Sequence, residues 1–468
     1  MNATQNMTTG SPVRHIILFS IPMMIGNIIQ QLYNLADSIV VGRVVGGTAL
    51  GAIGATGSVT FLFFALCNGI GSGGGVITSQ YFGRDDKKKV KRCIFNVALI
   101  MLIFPLIVGT AAFFLSKPLL ILLNTPAAML PDAVTYMKMM SIGLVFVSLY
   151  NFISSMLRAL GDSMTPLIFL IFASLINIGL DITFVKYLGL GVLGAALATL
   201  ISQFLSGVLC MLFAIRTNPY FHLTKKDMRY DRKIVKDSLR LGIPLSLQFS
   251  MIAVSCMALQ RVVNGFGDIA VTAFTATSRI EQVIHQPYQT LSAALSTYSG
   301  QNYGANKKDR VIEGYRKSLL IMAIFTLIMM PVIQFFGEDI VSLFLTDEPE
   351  IIRTGAIALR ISSLFYLFLG VIYVARGVLS GVGDAFFALL NGIVEVIGRF
   401  TIPLFLTAIP SIGMWGIWWS VGIVWSVSGF TAWLRYMQKM RELTGKKPIP
   451  DKAPVRKLHR PEAKLHMK

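Results

Sequence analysis

The chain has 468 residues, of which 54% are hydrophobic and 14% are charged, and its formal net charge is +19. Soluble globular domains carry about 25% charged residues, so this composition excludes an ordinary soluble protein. The four cysteines are scattered through apolar segments, which excludes a disulfide framework and a cysteine-based metal site.

Twelve apolar segments follow one another along the chain, each long enough to cross a bilayer of roughly 30 Å. They predict transmembrane helices at about 15–38, 48–80, 93–116, 132–157, 165–187, 190–214, 239–262, 268–300, 314–337, 352–379, 385–407 and 413–436. The second and eighth segments are long and rich in small and hydroxyl residues, which favours helices that pack against neighbours or line a cavity. The predicted fold is therefore an all-α polytopic membrane protein.

Positive charge alternates between the two sides of the predicted membrane. The loops after spans 2, 6 and 8 and the tail after span 12 are basic, whereas the loops after odd-numbered spans carry few basic residues. Short basic loops stay in the cytoplasm, so both termini of a multi-pass protein of the cell membrane are predicted to be cytoplasmic. The surplus charge then reflects this topology and attraction to anionic lipids of the inner leaflet, rather than nucleic-acid binding.

The sequence repeats itself with an offset of 221 or 222 residues. Clear pairs are Ser20-Ile21-Pro22 with Gly242-Ile243-Pro244, Ser79-Gln80-Tyr81-Phe82-Gly83 with Gly300-Gln301-Asn302-Tyr303-Gly304, and Leu160-Gly161-Asp162 with Val382-Gly383-Asp384. Each copy holds six spans and starts on the same side, which indicates two six-helix lobes related by a pseudo-two-fold axis along the membrane normal. Such a pair commonly encloses a substrate cavity and moves by rocking, although a duplicated scaffold without transport is the alternative.

The predicted domain boundaries follow from this repeat. A cytoplasmic tail (1–14) precedes the N-lobe (15–215), and a basic cytoplasmic linker (216–238) joins it to the C-lobe (239–437). A basic cytoplasmic tail (438–468) closes the chain.

Polar side chains inside the N-lobe spans form a candidate cation-coupling site. Asp37 lies about two dozen residues into span 1, in the predicted outer half of the membrane, and Asn177 and Asp181 lie one turn apart on span 5 at similar depth. Thr199 on span 6 has comparable depth, and Tyr136 lies near the outer start of span 4. Carboxylate, amide and hydroxyl oxygens suit a small hard cation such as Na⁺, and two close carboxylates suit a shared proton.

Structural roles remain open for these N-lobe residues. In this alternative, Asp37 is an interfacial acid that faces water, and Asn177 and Asp181 belong to a capping or packing network. Thr199 then bonds back along its own helix, and Tyr136 anchors at the membrane interface.

The C-lobe carries a different set of ionisable residues near the predicted midplane. Arg279 and Glu281 lie in span 8, and Glu395 and Arg399 lie one turn apart in span 11. They are either self-neutralising pairs or a substrate or second coupling site. His285, one turn from Glu281, is expected in the core, and Arg376, near the inner end of span 10, is expected to snorkel to the interface.

The sequence lacks the motifs of a transporter that is driven by nucleotide hydrolysis. The glycine-rich run 69–75 is not followed by the lysine and hydroxyl residue of a phosphate-binding loop, and the sequence shows no nucleophile elbow or metal motif. An ion gradient, with Na⁺ or H⁺ as the coupling ion and no other cofactor, is therefore expected to drive any transport.

Together these features resemble the MATE family, the multidrug and toxic compound extrusion transporters. The likeness covers about residues 10–440 and is carried by Ile21-Pro22, Gln30-Gln31-Leu32-Tyr33-Asn34-Leu35-Ala36-Asp37, Ala52-Ile53-Gly54-Ala55, Gln80-Tyr81-Phe82-Gly83, Leu157-Arg158-Ala159-Leu160-Gly161-Asp162, Asn177-Ile178-Gly179-Leu180-Asp181-Ile182-Thr183-Phe184 and Gly191-Val192-Leu193-Gly194-Ala195-Ala196.

The resemblance implies a rocking exporter that exchanges cationic, aromatic drugs for Na⁺ or H⁺. It also implies a cation site at Asp37, Asn177, Asp181 and Thr199, with Tyr136 in its surroundings. One branch of the family carries an acid in span 7, and the stretch 245–252 here has none, so the chain is more similar to the bacterial branch that relies on N-lobe acids.

Three functions are weighed on this basis. A cation-coupled multidrug exporter, expected to act as a monomer, is the leading hypothesis. A flippase for lipid-linked precursors is the alternative, because Arg279, Arg376 and Arg399 could hold a pyrophosphate. An integral membrane enzyme would need a catalytic cluster on a membrane-edge loop, and the loops offer mostly lysine and arginine.

Overall fold

The computed structural model describes residues 4–123, 125–344 and 348–445, and these form fourteen α-helices and no β-strand. The N-lobe contains α1 (Pro12–Val44), α2 (Gly47–Gly83), α3 (Lys87–Leu122), α4 (Leu130–Ala159), α5 (Met164–Asp181) and α6 (Gly191–Thr217). The C-lobe contains α7 (Arg232–Val263), α8 (Gly267–Ile284), α9 (Gln286–Gly304), α10 (Lys308–Ser342), α11 (Pro349–Ser363), α12 (Tyr366–Gly381), α13 (Ala385–Thr407) and α14 (Gly416–Thr444).

The described helices are consistent with the predicted twelve crossings. Ten helical stretches are long and apolar enough to span a membrane, and α11 with α12, bent by 53°, makes an eleventh. One of the ten, Arg232–Gly304, contains both predicted spans 239–262 and 268–300. The chain turns between those two through the 3-10 turn Asn264–Phe266 and Gly267, whose φ of 81° suits a glycine.

Several helices begin earlier than the apolar segments within them. Helix α3 begins at Lys87 because the Asp86 carboxylate accepts the Lys89 backbone N–H at 3.1 Å. Helix α7 begins at Arg232, and Asp231 caps it by accepting the backbone N–H groups of Lys233 and Ile234. Hydropathy marks only the part of a helix that crosses the membrane, whereas lysine and arginine are good helix formers that extend it into water.

The two lobes meet through helices in equivalent positions of the repeat. Helix α2 packs against α7 and helix α1 packs against α9. On the first side Gly69 faces the backbone of Ser246, whose hydroxyl donates to the Leu66 carbonyl at 2.7 Å. On the second side Asn27 Nδ2 donates to Gln286 Oε1 at 3.0 Å. Small residues allow the close approach of α2 and α7, as is usual for membrane helices.

Close contact between the lobes is concentrated at the end where α2 and α9 terminate. A Cβ on Gly83 would collide with the Gln301 carbonyl, and a Cβ on Gly304 would collide with the Gln80 carbonyl. The Gln80 amide donates to the Gly381 carbonyl at 2.9 Å, and the Gln301 amide donates to the Ala159 carbonyl at 3.0 Å. These four contacts seal one end of the interface.

The opposite end of the interface lacks an apolar cluster shared by both lobes among the described residues. The apolar clusters that join both lobes draw their cross-lobe members from the sealed half, such as Phe19 and Leu245. The clusters around Val41 and Ala52, at the other end, contain N-lobe residues alone. In the described chain, apolar packing between the lobes is therefore concentrated at one end and is not seen at the end that the charge pattern predicts to face outside.

Candidate functional site

The structure brings Asp37 of α1 and Asp181 of α5 together inside the N-lobe. Their carboxyl groups lie close to each other, without a hydrogen bond between them. Asp181 is 0% exposed, Asn177 one turn earlier is 1% exposed, and Asp37 is half-buried. The two elements meet because α1 packs along α5, which places an acid from the end of each helix at the same level.

Five polar atoms of this cluster are buried and unpaired among the described residues. They are Asp37 Oδ1, Asn177 Oδ1 and Nδ2, and both carboxylate oxygens of Asp181. Buried polar atoms almost always have a hydrogen-bond partner, and an unpaired one costs free energy. An arrangement of oxygen atoms without internal partners fits a small hard cation or a proton shared by the two acids.

Of the remaining predicted residues, Tyr136 lies close to this pair, whereas the hydrogen bond at Thr199 lies within its own helix. Tyr136 is 8% exposed and packs in the apolar cluster of Val41 and Val185, close to both carboxylates. Thr199 is half-buried on α6, and its carbonyl accepts the Ser202 hydroxyl at 3.0 Å. Its own hydroxyl bonds none of the five unpaired atoms, since those atoms have no partner in the described chain.

Two further polar residues in this region were missed from the sequence. The Tyr33 hydroxyl lies near both acids and within reach of the amides of Gln30 and Gln203. Gln203 is 7% exposed. Spacing could have identified them, because Tyr33 precedes Asp37 by four residues and Gln203 follows Thr199 by four, which places each on the face of a predicted site residue.

Glu395 in the C-lobe is neutralised by a residue that the sequence analysis assigned to the membrane interface. Arg376 Nη2 lies 2.6 Å from Glu395 Oε1, with the two side chains 8% and 9% exposed. Arg376 Nε donates to Asn391 Oδ1 at 2.7 Å, and the Ser428 hydroxyl donates to Glu395 at 3.0 Å. The expectation of a snorkelling Arg376 is therefore wrong, because α12 is enclosed by α9, α10 and α14.

The alternative that Glu395 and Arg399 neutralise each other is also wrong. The Arg399 guanidinium instead points to α7, where it lies 3.4 Å from both Ser255 Oγ and Cys256 Sγ. Residues four apart on an α-helix differ in direction by about 40°. That difference is enough to aim Glu395 at α12 and α14 while Arg399 faces α7.

Glu281 remains without an ion-pair partner among the described residues. Arg279 is exposed, and residues two apart on a helix do not face each other, so no Arg279–Glu281 pair forms. Glu281 Oε1 is buried and unpaired, and so is His285 Nε2. The His285 ring packs edge-on against Tyr366 at 6.1 Å and against Trp425 at 5.5 Å between ring centres.

Comparison with known proteins agrees with the repeat and the fold. A family model described as MatE matches residues 22–183 and 244–404, one copy in each lobe. The chain is 32% identical to the probable multidrug resistance protein YpnP of Bacillus subtilis, over 92% of this chain and 96% of that protein. It is 24% identical to the multidrug export protein MepA of Staphylococcus haemolyticus, over 88% and 91%.

Solved structures agree with the same assignment. A structure described as the outward-facing conformation of a multidrug resistance MATE family transporter superposes with a TM-score of 0.89 at 25% identity, covering 96% of this chain and 99% of that one. A second, described as MATE in the bent conformation, gives a TM-score of 0.88 at 25% identity over 95% and 99%. The two family matches, the relatives and the fold together show that this chain belongs to the MATE family of multidrug efflux transporters.

Proposed function

We propose that this transporter exports cationic, aromatic compounds in exchange for Na⁺ or H⁺, and that the cluster of Asp37, Asn177 and Asp181 is its ion-coupling site. The observation that carries the proposal is the set of five buried, unpaired polar atoms on α1 and α5. Thr199 and Tyr136 contribute to the same region as a further oxygen ligand and a wall. The site is the first candidate for Na⁺, with two carboxylates and an amide oxygen as ligands.

Helix α1 gives this site a route to the substrate cleft. Asp37 belongs to the N-lobe cluster, whereas Asn27, ten residues earlier on the same helix, donates to Gln286 of the C-lobe. An ion or proton that neutralises the two facing acids removes their repulsion and lets α1 approach α5 more closely. The same movement pulls on the contact with α9, so ion loading at one lobe biases the cleft between the lobes.

The cleft geometry supports alternating access by rocking. The sealed end depends on glycine contacts that leave no space for a side chain, and at the other end no apolar cluster of the described residues joins the lobes. Export then requires that the sealed contacts separate and the other end closes. We place both termini in the cytoplasm of a cell-membrane protein that acts as a monomer, with its basic loops against anionic lipid, as the charge pattern predicts.

A flippase of lipid-linked precursors is less well supported. It needs a surplus of unpaired cations in the cleft to hold a pyrophosphate. Arg376 is bound to Glu395 in the C-lobe interior, and Arg399 is turned toward α7. The described arginines therefore offer no cluster suited to that group.

The test is ethidium efflux from cells that express single variants at matched levels. Asp37→Asn, Asp181→Asn and Asn177→Ala are expected to abolish or strongly reduce efflux while the purified proteins remain folded. Asp132→Asn is the matched control, because Asp132 is an exposed acid in the first turn of α4, and its efflux is expected to equal that of the wild type. Normal efflux by Asp37→Asn cells would exclude this site as the coupling site.

A further inference from the structure

The C-lobe contains a second group of buried, unpaired polar atoms that the N-lobe mechanism does not use. Besides Glu281 Oε1 and His285 Nε2, it includes the hydroxyls of Ser362 and Tyr366. Ser362 and Tyr366 are 1% and 0% exposed. Both lie close to Glu281 but have no hydrogen bond of good geometry to it, so a buried carboxylate oxygen is left beside two unpaired hydroxyl groups.

This group lies where two predicted spans are broken. Helix α8 ends at Ile284 and α9 begins at Gln286, with His285 between them. Helices α11 and α12 are bent by 53° around Leu364 and Phe365, and Ser362 and Tyr366 lie on either side of that bend. Broken helices that meet inside a membrane transporter commonly mark a binding site.

We propose that Glu281, His285, Ser362 and Tyr366 form a C-lobe proton site, in which a cationic substrate in the cleft displaces the proton from Glu281. The proposal rests on the proposed transport function and goes beyond the N-lobe coupling site. The proton bonds to a Glu281 oxygen when the cleft is empty, and it leaves to solvent when the cation of the substrate pairs with the carboxylate. His285 is the adjacent group that can relay the proton on its way to solvent, with Tyr366 and Trp425 as an aromatic wall that also suits a cation.

Few other charges face this site in the described chain. Arg399 of α13 lies closest, with its guanidinium held by Ser255 and Cys256 of α7. Arg360 of α11 is turned toward α10, where it lies 3.6 Å from Glu338, and Arg279 of α8 is exposed. Glu395 is occupied by Arg376. Glu281 is therefore the one carboxylate here that is available to a proton or a substrate cation.

The test measures proton release when ethidium is added to the purified protein in weakly buffered detergent solution. Wild type and Asp37→Asn are both expected to release protons, because Asp37→Asn leaves the C-lobe site intact even though coupled efflux is lost. Glu281→Gln is expected to release less than the wild type, and Asp37→Asn with Glu281→Gln is expected to release none. Glu338→Gln, at a half-exposed acid of the same lobe, is expected to match the wild type.

The outcomes separate this inference from the proposed function. Equal proton release from wild type and Glu281→Gln would overturn the C-lobe site even if Asp37→Asn abolishes efflux. If Glu281→Gln fails to fold, Glu281→Asp is measured instead, with the infrared band of a protonated carboxyl group followed during ethidium addition. In Asp37→Asn, the intensity of that band is expected to fall when ethidium is added. In Asp37→Asn with Glu281→Asp, the band that responds to ethidium is expected to lie at a shifted frequency. A band in Asp37→Asn that does not change on ethidium addition would overturn the inference.

A separate observation concerns the segment that precedes α1, Gln5–Thr9, which we name the N-terminal strap. Met7 is 0% exposed, and its N–H donates to Gln301 Oε1 at 2.9 Å. The Met7 carbonyl accepts bonds from Asn302 Nδ2 at 3.2 Å and Arg310 Nη2 at 3.1 Å. The Thr8 carbonyl accepts a bond from Lys307 Nζ at 2.9 Å.

The strap also binds the other lobe. The Gln5 N–H donates to the Leu160 carbonyl at 3.2 Å, and Gly161, with φ of 85°, leaves room for the Gln5 carbonyl where a Cβ would collide. The strap therefore joins the α4–α5 turn of the N-lobe to the α9–α10 turn of the C-lobe across the sealed end. We infer that it is a latch that must release before the cleft can open at this end.

A reversible cross-link tests the latch. In a Cys256→Ser background, which removes the one exposed cysteine of the described chain, Thr8→Cys with Lys307→Cys is expected to be joined by a short bifunctional methanethiosulfonate reagent. The reagent spans the space that the lysine side chain fills, and it is expected to block ethidium efflux until it is removed by reduction. Lys308→Cys with Leu443→Cys is the control, because Lys308 Nζ contacts the Leu443 carbonyl at 2.6 Å within the C-lobe, and cross-linking by the same reagent is expected to leave efflux intact. Failure to cross-link, or full efflux by the cross-linked strap, would overturn the latch.

Discussion

Arg376 donates to Glu395 at 2.6 Å in the C-lobe interior, with neither side chain more than a tenth exposed. Nothing comparable neutralises Asp37 or Asp181 in the N-lobe, where the described oxygens remain unpaired. A buried acidic residue therefore forms a stabilising ion pair in the C-lobe, whereas the buried acids of the N-lobe are available to bind an ion.

The buried pair predicts a large effect on stability. Removing one partner leaves an uncompensated charge, which costs about 3–5 kcal/mol, so Glu395→Gln and Arg376→Gln are both expected to lower the Tm strongly. Arg376→Met with Glu395→Leu is expected to be more stable than either single variant. Thermal unfolding in detergent measures this, with Glu338→Gln as control, because the half-exposed Arg360–Glu338 pair is worth at most about 1 kcal/mol. A wild-type Tm for Glu395→Gln would contradict a stabilising role.

Replacing a glycine at the sealed end with a larger residue is expected to favour the conformation in which that end is open. Gly304→Val forces the α9 backbone away from the Gln80 carbonyl, and overpacking of this kind costs about 1–3 kcal/mol. Since about 1.4 kcal/mol changes a ratio tenfold, the state open at this end is expected to gain about fivefold or more in population relative to the sealed state.

Thiol labelling measures that population. Ser79→Cys, at a position 1% exposed beside Gly300, is expected to react faster in Gly304→Val than in the wild-type sequence, both with Cys256→Ser. Gly57→Ala is the control, because nothing lies within 4 Å of its Cβ, and it is expected to leave the rate unchanged. Equal labelling of Gly304→Val and wild type would show that the contact does not hold the end closed.

Tyr33 and Gln203 predict a partial effect on coupling. The Tyr33 hydroxyl lies within reach of Gln203 and near both acids, and a hydrogen bond contributes about 1 kcal/mol. Tyr33→Phe and Gln203→Leu are therefore expected to reduce ion-coupled efflux about fivefold, far less than Asp37→Asn. Tyr187→Phe, at a residue that is 74% exposed, is the matched control in the same efflux assay. A complete loss in Tyr33→Phe would instead make its hydroxyl an essential ligand.

Hydropathy and helical spacing were sufficient for much of the architecture. The apolar segments predicted the helices, and the one-turn spacing of Asn177 and Asp181 with a depth count for Asp37 predicted residues that the structure brings together. The depth of a residue in the membrane can be counted from the sequence, since each residue adds about 1.5 Å along a helix.

Partner choice across helices was not predictable in the same way. Arg376 lies near the end of an apolar segment, and only the packing of α12 against its neighbours shows that it is buried with Glu395. The direction of Arg399, and the meeting of two helix breaks around Glu281, likewise depend on which helices adjoin. The strap had no hydropathy signal, because its bonds to the C-lobe use backbone groups that every residue carries.

Drug-driven ion counterflow in proteoliposomes loaded with ethidium tests ion coupling through Asp37 most directly, with Na⁺ and pH gradients examined separately. Wild-type protein is expected to move one of these ions against the outgoing drug, and Asp37→Asn is expected to move neither. Counterflow by Asp37→Asn equal to that of the wild type, or drug movement by the wild type without movement of either ion, would contradict the account.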